Sequence, residues 1–366
     1  MKKFLLLYVL ASVSLASCVN DESLELTQQP KKLSFEAPVM KTQSRALYGE
    51  IQGADYPITE SFMVFAKQHT GDLTDWESAG NFWVKENAGV AALEVKYDNT
   101  EGYWDTDTDH YWPSGDVKLS FGAYSPAVLN TGATATYKNT GLTVANFEVN
   151  ATVANQVDLM YSGPILNKSY AVETDKDGVD ITFKHALSSV VFSAIDADAN
   201  ANYTINSIKV KGKFLKKGTF CENLSWSNGN ATGTAGWISV SGNEEATGTE
   251  YALATGSNFT VGTSSTVITE KTSALLTIPH TDQQLDEDAT VTITYVVTPL
   301  SGAASYNATK TVKLADFKQP DGNPITSWEI GKRYTYQFSF GGTSKIFFKP
   351  SVTDWVDGGA ATLTIN

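Results

Sequence analysis

Short runs in which apolar and polar residues alternate occupy much of the chain. They recur between turns rich in Gly, Asn, Asp and Thr, and a period of two is typical of β-strands that bury one face. No stretch carries a capped apolar stripe with the 3.6-residue period of an amphipathic helix. The pattern therefore predicts an all-β fold, with strands in residues 62–66, 118–124, 179–185, 204–210, 290–298, 333–340 and 345–348.

Turn-forming residues interrupt the alternation near the middle of the chain. Gly163-Pro164 and the run from Asp175 to Gly178 favour turns over strands. The chain has 366 residues, whereas a single core rarely grows beyond about 250–300 residues. We therefore predict two β-sandwich domains after an N-terminal leader. The predicted borders are 1–17 for a signal, 18–45 for a removable segment, 46–172 for the first sandwich and 173–366 for the second.

The first eighteen residues have the pattern of an export signal. Lys2 and Lys3 precede an apolar run, residues 4–10, and small residues follow up to Cys18. The run is too short for a permanent membrane-spanning helix. Residues 15–18, Leu-Ala-Ser-Cys, resemble the lipobox of bacterial lipoproteins, in which the cysteine is diacylated and the preceding peptide is removed. The resemblance implies that lipid, such as palmitate, on Cys18 holds the exported chain at the outer membrane. The alternative is an ordinary secretion signal with an incidental cysteine.

Residues 32–39 predict one short strand with an apolar face and a polar face. Lys32, Ser34 and Glu36 fall on the polar face. Pro38 has no backbone N–H to donate, which favours the edge of a sheet. We predict that this strand completes a core and can be removed. Its predicted core-facing residues are Leu33, Phe35, Ala37 and Val39.

A polar linker without strand alternation follows this strand. It carries Arg45, and a segment of this kind can be threaded by a protease. The other arginine of the chain, Arg333, lies in a strongly alternating run, where a ladder of hydrogen bonds would shield it. We therefore predict cleavage between Arg45 and Ala46 by an arginine-specific protease. The alternative is that Arg45 is an ordinary solvated charge.

The C-terminal end of the chain predicts a second mobile strand. A glycine pair at 358–359 precedes a short alternating run, residues 360–366. A flexible pair before a strand suits a tail that inserts into another subunit, with Ala361, Leu363 and Ile365 on its apolar face. The alternative, which the sequence leaves open, is that this run is the last strand of the chain's own sandwich.

Composition limits the partners and the covalent cross-links. The formal net charge is −13, and removing residues 1–45 leaves 21 basic and 36 acidic residues, a charge of −15. An acidic body argues against binding nucleic acid or anionic lipid through a general field. Cys221 is the only thiol besides Cys18. No intramolecular disulfide is therefore expected once Cys18 carries lipid.

No motif for catalysis, a cofactor or a metal stands out. Asp105, Asp107 and Asp109 have the spacing that opens a calcium loop, but His110 stands where glycine is needed and Asp116 where a bidentate glutamate is needed. The four histidines are scattered, and no nucleophile, zinc, phosphate-loop or dinucleotide motif occurs. The eight tryptophans could build a sugar platform, but core packing explains most of them. We predict no enzyme, no cofactor and no metal.

Several short motifs are spaced along most of the chain. They are Ser44–Ala46, Tyr111–Pro113 leading into Leu119–Pro126, Asp158–Tyr161, Phe183–Leu187, Gly331–Tyr336 and Val352–Gly358. In this order they resemble the fimbrillins of type V pili, specifically the minor-fimbrillin-like branch. The resemblance implies two transthyretin-like β-sandwich domains in tandem, export as a lipoprotein, cleavage by an arginine-specific protease, and head-to-tail polymerisation on the cell surface.

Two classes of function are therefore open. The first is a subunit of a surface fimbria that polymerises with other pilin subunits by donor-strand exchange and contributes to adhesion. The second is a monomeric surface lipoprotein that binds a glycan or a host protein through its loops. The sequence does not separate a shaft subunit from a tip or anchor subunit.

Overall fold

The computed structural model describes most of the chain between residues 31 and 365. The predicted signal, Cys18, Arg45 and Ala46 lie outside the described residues. No helix among the described residues is long and apolar enough to cross a membrane. For residues 39–40, 254–257 and 356–365 the description covers the backbone alone. The described ranges are 31–37, 39–40, 56–82, 92–170, 178–239, 248–269, 273–279, 285–341 and 356–365.

The described residues form 26 strands, numbered here in chain order. The first thirteen are β1 (Phe35–Glu36), β2 (Val39–Met40), β3 (Tyr56–Pro57), β4 (Ser61–Thr70), β5 (Gly80–Asn81), β6 (Ala92–Asp98), β7 (Tyr103–Thr106), β8 (Val117–Ser125), β9 (Thr134–Lys138), β10 (Gly141–Glu148), β11 (Met160–Lys168), β12 (Val179–Asp180) and β13 (Lys184–His185). The others are β14 (Ser188–Asp196), β15 (Ala201–Gly212), β16 (Lys217–Cys221), β17 (Leu224–Ser227), β18 (Asn230–Gly233), β19 (Gly236–Ser239), β20 (Thr249–Thr260), β21 (Thr266–Val267), β22 (Leu275–Thr277), β23 (Thr290–Pro299), β24 (Tyr306–Lys313), β25 (Lys332–Phe340) and β26 (Val356–Ile365).

The prediction of an all-β fold is confirmed. The helical elements found among the described residues are two 3-10 turns, Val153–Asn155 and Leu314–Asp316. Alternation in the sequence becomes alternation in burial, as in β23, where every second residue from Val291 to Val297 is buried. All nine residues of β14 are buried, as expected for a strand with both faces covered.

The largest sheet curls back on itself. Its strand order is β12-β1-β7-β6-β4-β8-β11-β13, with β5 paired to β4 outside this path. The two end strands, β12 and β13, are separated in the chain by residues 181–183 alone. A chain segment of that length spans at most about 14 Å. The two ends of the sheet must therefore lie close together, with an apolar core enclosed between them.

A second sheet, of order β19-β16-β10-β9, packs against the other face of this large sheet. The core between them joins Phe65 and Tyr124 of the large sheet to Leu142, Phe147 and Phe220 of the smaller one. Residues on β4 and β8 point alternately into this core and into the enclosed one. The large sheet is thus buried on both of its faces along β4 and β8.

Two further sheets form the second half of the molecule. One has the order β21-β14-β25-β26, with β22 paired to β14, and the other has the order β20-β15-β23-β24. Phe192 and Tyr336 of the first sheet pack with Ile208 and Val291 of the second in one continuous core. These sheets give the fold its sandwich character, because each buries its apolar face against the other.

Strand pairing crosses the domain border predicted between residues 172 and 173. The strand β13 pairs with β11, β12 pairs with β1, and β16 pairs with β10. Each of these pairs joins a strand before residue 172 to one after it. The predicted border therefore does not separate the hydrogen-bonded sheets.

Candidate functional site

The N-terminal strand β1 lies inside the large sheet, between two other strands. Phe35 is paired with Trp104 of β7 in the antiparallel sense and with Val179 of β12 in the parallel sense. The strand is therefore not an edge strand at Phe35, and Pro38, the residue that suggested an edge, lies outside the described residues. A period of two identifies the buried face of a strand but gives no information about its neighbours.

Backbone hydrogen bonds fix the segment 31–37 on both of its sides. On one side it meets the stretch that follows β7, and on the other it meets β12. The amide of Leu33 donates to the carbonyl of His110 (2.6 Å), that of Trp112 to Lys31 (3.1 Å), that of Val179 to Ser34 (3.0 Å), and that of Ile181 to Glu36 (2.8 Å).

The apolar face of this segment is part of the enclosed core. Leu33 and Phe35 are each 1% exposed, and Ala37 is 2% exposed. The ring of Phe35 meets that of Phe121 edge to face, with 5.8 Å between centroids. The indole Nε1 of Trp104 donates a hydrogen bond of 3.2 Å to the carbonyl oxygen of Ala37. The segment therefore supplies apolar side chains and hydrogen-bond acceptors to a core that the rest of the sheet surrounds.

The ammonium group of Lys32 lies in a site formed by two carboxylates and one aromatic ring. Its Nζ forms an ion pair with Asp105 and another, of 2.7 Å, with Asp109. The same Nζ lies 5.5 Å from the ring centroid of Tyr103, within the range of a cation–π contact. The side chain of Asp105 is 8% exposed and that of Lys32 is 26% exposed. These three residues, Asp105, Asp109 and Tyr103, are called the cation seat below.

The electrostatics of the cation seat follow from these contacts. The hydrogen bond to Asp105, and then that to Asp109, raises the pKa of Lys32 above its ordinary range. The hydrogen bond from Lys32 in turn lowers the pKa of Asp109. An ammonium ion thus holds the position that the Asp-x-Asp-x-Asp spacing suggested for calcium. The described residues contain no group of three or more side chains arranged to hold a metal.

The linker that carries the predicted cleavage site connects two paired strands. The backbone of β2, which follows β1, pairs in the parallel sense with β3, as Val39 with Tyr56 and Met40 with Pro57. Arg45 and Ala46 fall between these strands in the chain but lie outside the described residues. The side chain of Val39 is likewise outside the description. Cleavage at Arg45 and lipid on Cys18 therefore remain predictions.

The strand predicted as a C-terminal donor is paired within its own subunit. The backbone of β26 lies parallel to β25, with Ala361 beside Tyr336, Leu363 beside Phe338 and Ile365 beside Phe340. Among the described strands β25 is its only partner. This arrangement matches the alternative of an internal last strand, and an edge strand with one partner is also the kind that can detach. The donor role of Ala361, Leu363 and Ile365 stays a prediction.

Arg333 lies where the sequence predicted a shielded position. Its backbone is in β25, which is paired on one side with β14 and on the other with β26. The side chain is partly buried. A protease must draw several residues into an extended, unpaired form, so this arginine is a poor site in the folded protein.

Sequence reasoning missed the cation seat, although one signal for it was present. The alternating pattern placed Lys32 on the polar face, where a lysine is ordinarily solvated. The unusual run of three aspartates, Asp105, Asp107 and Asp109, was the signal that a cation lies nearby. Asp107 itself turns away, with its carboxylate 3.5 Å from Lys96.

By its fold, the protein belongs to the class of all-β sandwich proteins. Its N-terminal strand is part of the core. A family model described as fimbrillin-like matches residues 61–355. The chain belongs to the fimbrillin-like family, as the sequence motifs implied. The family consists of fimbrial and adhesion proteins and not of enzymes. Membership indicates association with other pilin subunits and a location at the cell surface.

Three of the solved structures to which the chain is similar come from Bacteroides species. A fimbrial protein from Bacteroides vulgatus is 16% identical, covering 89% of this chain and 100% of its own, with a TM-score of 0.46. Two proteins, each described as a "putative cell adhesion protein", come from Bacteroides uniformis and Bacteroides ovatus. The first is 14% identical over 90% of this chain and 99% of its own, with a TM-score of 0.45. The second is 13% identical over 90% of this chain and 98% of its own, with a TM-score of 0.40. No curated protein matches this chain significantly.

Proposed function

We propose that this fimbrial subunit polymerises by strand exchange after its N-terminal strand has been removed. The observation that carries the proposal is the position of β1, which is paired on both sides and buried in the enclosed core. Cleavage after Arg45 would separate this strand from the body. The gap between β7 and β12 would then present apolar walls and unpaired backbone groups to another subunit.

The size of the effect supports an exchange of strands over a permanent gap. Burial of Leu33 and Phe35 is worth about 1.5–3 kcal/mol each, and the four backbone hydrogen bonds about 0.5–1.5 kcal/mol each. The combined value of about 5–12 kcal/mol is comparable with the whole stability of a domain. A subunit that has lost this strand is therefore strongly driven to accept a replacement.

A replacement strand from another subunit produces a fibre. The donor and acceptor surfaces differ, so the contact is heterologous and leads to an open polymer. The two further steps of the proposal act before assembly: lipid on Cys18 anchors the precursor to the outer membrane, and an arginine-specific protease releases it. The lipid anchor and the removable strand both lie on the N-terminal side of Arg45. One cut therefore frees the body from the membrane and opens the groove.

Treatment of the purified precursor with an arginine-specific protease tests this proposal. The expected result is loss of the segment up to Arg45, followed by oligomer ladders on gels and fibres in electron micrographs. The variant Arg45→Ala should fold and remain monomeric under the same treatment. Lys41→Ala, in the same linker, is the matched control and should be cut and polymerise normally.

Two results would contradict the proposal. If Arg45→Ala polymerised as fast as the unchanged chain, cleavage would not be the trigger. If the cleaved chain remained a monomer while still binding glycan or host protein, the alternative of a monomeric surface lipoprotein would hold.

A further inference from the structure

The cation seat favours, among strands that could replace the segment 31–37, those with a cation at the position of Lys32. This inference rests on the proposed function. When Lys32 leaves with the cleaved strand, Asp105 and Asp109 lose the ammonium between them. Asp105 is nearly buried, 8% exposed at its side chain, and a buried carboxylate without a counter-charge is costly. A replacement strand that brings a cation to the same position is therefore favoured over one that does not.

The predicted donor at the C-terminus has no cation to place in the cation seat. Residues 360–366 read Ala-Ala-Thr-Leu-Thr-Ile-Asn and contain no basic residue. Placing Leu363 and Ile365 at the positions of Leu33 and Phe35 sets Thr362 at the cation seat. That register buries apolar residues correctly but leaves Asp105 without a cation.

The pattern of the removed strand recurs later in the chain. In Lys32–Phe35 a basic residue is followed by a large apolar residue and, two positions later, by an aromatic residue. After residue 40, three segments share this pattern: 118–121, 333–336 and 345–348. The first lies in β8, paired with β4 and β11, and the second lies in β25, paired with β14 and β26. The third, Lys345–Phe348, lies outside the described residues.

The third segment and the removed strand are identical at three of eight aligned positions, Lys345 with Lys32, Phe348 with Phe35 and Val352 with Val39. Residues 345–352 read Lys-Ile-Phe-Phe-Lys-Pro-Ser-Val, and residues 32–39 read Lys-Leu-Ser-Phe-Glu-Ala-Pro-Val. In this register Ile346 takes the place of Leu33. The groove bonds Ala37 through its carbonyl oxygen, which accepts from Trp104. Pro350, which falls at the position of Ala37, keeps a carbonyl oxygen that can accept the same hydrogen bond.

Charge complementarity favours this segment at a second position. Glu36 is the cross-strand neighbour of Asp180, and both are exposed. Two like charges side by side destabilise a strand pair slightly, whereas opposite charges stabilise it. Lys349 falls at the position of Glu36. The later segment therefore exchanges a repulsive pair for an attractive one.

We infer that residues 345–352 of a second copy of this chain occupy the groove left by residues 32–39, with the Lys345 ammonium in the cation seat between Asp105 and Asp109. Ile346 and Phe348 fill the core positions of Leu33 and Phe35. The cation seat fixes the register of the incoming strand, because a shift by one residue removes the cation and turns the apolar side chains to the opposite face.

Polymerisation of full-length variants after cleavage tests this inference. Lys345→Glu should slow fibre formation at least about tenfold, the equivalent of one weakened ion pair at a nearly buried carboxylate. Lys349→Glu is the matched control, because glutamate already occupies the corresponding position in the precursor, and it should slow formation by about threefold or less. The double variant Lys345→Glu with Asp109→Lys should polymerise faster than Lys345→Glu alone, because it restores an opposite pair. Circular dichroism of each precursor shows that it is folded before cleavage.

Three outcomes separate the inference from the proposed function. Equal effects of Lys345→Glu and Lys349→Glu would overturn the cation seat as a selector. A chain that lacks residues 360–366 could fold but fail to polymerise, while the Lys345→Glu variant polymerises normally. That result would assign the donor strand to the C-terminal run and leave strand exchange intact. If the unchanged chain failed to polymerise after complete cleavage at Arg45, the proposed function itself would be wrong.

Discussion

The indole N–H of Trp104 donates a hydrogen bond of 3.2 Å to the carbonyl oxygen of Ala37. Trp104 is 1% exposed and belongs to the part of the sheet that stays behind after cleavage, whereas Ala37 belongs to the strand that is proposed to leave. This one contact therefore crosses the boundary between the removable segment and the body. It places a fluorescent side chain at the surface that cleavage would open.

Cleavage at Arg45 should shift the tryptophan emission to longer wavelength. Trp104 gains contact with water when Ala37 departs, whereas a buried tryptophan such as Trp328, which is 0% exposed in the other half of the molecule, does not. Trp104→Phe should abolish most of the shift and Trp328→Phe should preserve it. Emission spectra before and after protease treatment, under dilute conditions that keep the subunit monomeric, provide the measurement. A shift that survives in Trp104→Phe would mean that the groove does not open at this residue.

Phe35→Ala should lower the unfolding free energy of the precursor by about 3–5 kcal/mol, the usual cost of truncating a buried phenylalanine. Phe35 is 1% exposed and its ring packs on Phe121. Urea unfolding of the precursor measures the loss. Glu36→Ala, at an exposed position of the same strand, should change stability by no more than about 0.5 kcal/mol.

Cleavage provides an internal check on the Phe35→Ala variant. Once the segment has been cut and removed, the bodies of the Phe35→Ala protein and the unchanged protein are identical in sequence. Their unfolding curves should then coincide. Curves that already coincide before cleavage would show that Phe35 contributes nothing to the enclosed core.

The sequence predicted the face of the N-terminal strand correctly but not its neighbours. Alternation depends on the local backbone, so the buried side chains of Leu33, Phe35 and Ala37 follow from it. The partners of Phe35, Trp104 and Val179, are about 70 and 140 residues away in the chain, and non-local pairing leaves no trace in a local period. Pro38 suggested an edge, whereas the sheet continues on both sides of Phe35.

The polar residues were harder to predict than the apolar ones. The sequence assigned Lys32 correctly to the polar face. That assignment does not predict which residues contact its side chain. A lysine on that face is solvated unless acids from another strand converge on it, and Asp105 in β7 and Asp109 just after β7 lie more than 70 residues away in the chain. The parallel partner of β26 was beyond prediction for the same reason, since alternation identifies a strand without fixing its direction or partner.

Lys32→Gln should lower the unfolding free energy of the precursor by about 1–3 kcal/mol. The variant leaves Asp105 nearly buried without a cation, which is the costly half of a broken ion pair, and partial exposure of Lys32 reduces the effect. The raised pKa of Lys32 adds stability that is fully present below its unfolded pKa, about 10.4, and is lost as the pH rises through the folded pKa. The loss in the variant should therefore be constant across neutral pH.

Lys96→Gln is the matched control for this prediction. Lys96 pairs with Glu94 at 3.1 Å on the same sheet, but its side chain is 50% exposed. An exposed pair of this kind contributes about 0–1 kcal/mol. If thermal or urea unfolding showed equal losses for Lys32→Gln and Lys96→Gln, the cation seat would be an ordinary surface contact.

Glu222 is a nearly buried acid whose environment couples the stability of the fold to pH. It is 2% exposed, and its Oε2 accepts a hydrogen bond of 2.6 Å from the amide of Leu142. Burial raises the pKa of Glu222 from its ordinary value of 4.5 to about 7, although the Leu142 amide and the charge of Lys184 act in the opposite direction. The folded protein therefore holds a proton on Glu222 at pH values where the unfolded chain has lost it.

The free energy of unfolding should consequently fall as the pH rises from about 4.5 to about 7, by about 3 kcal/mol from this group alone. Glu222→Gln carries the same shape without the charge, and its amide oxygen can still accept from Leu142. The stability difference between this variant and the unchanged protein should grow in the variant's favour across that pH range. Glu148→Gln, at an exposed position of β10, should show no such growth. Parallel stability profiles of the Glu222→Gln variant and the unchanged protein, measured by urea unfolding from pH 4.5 to 8, would mean that Glu222 is charged in the folded protein throughout.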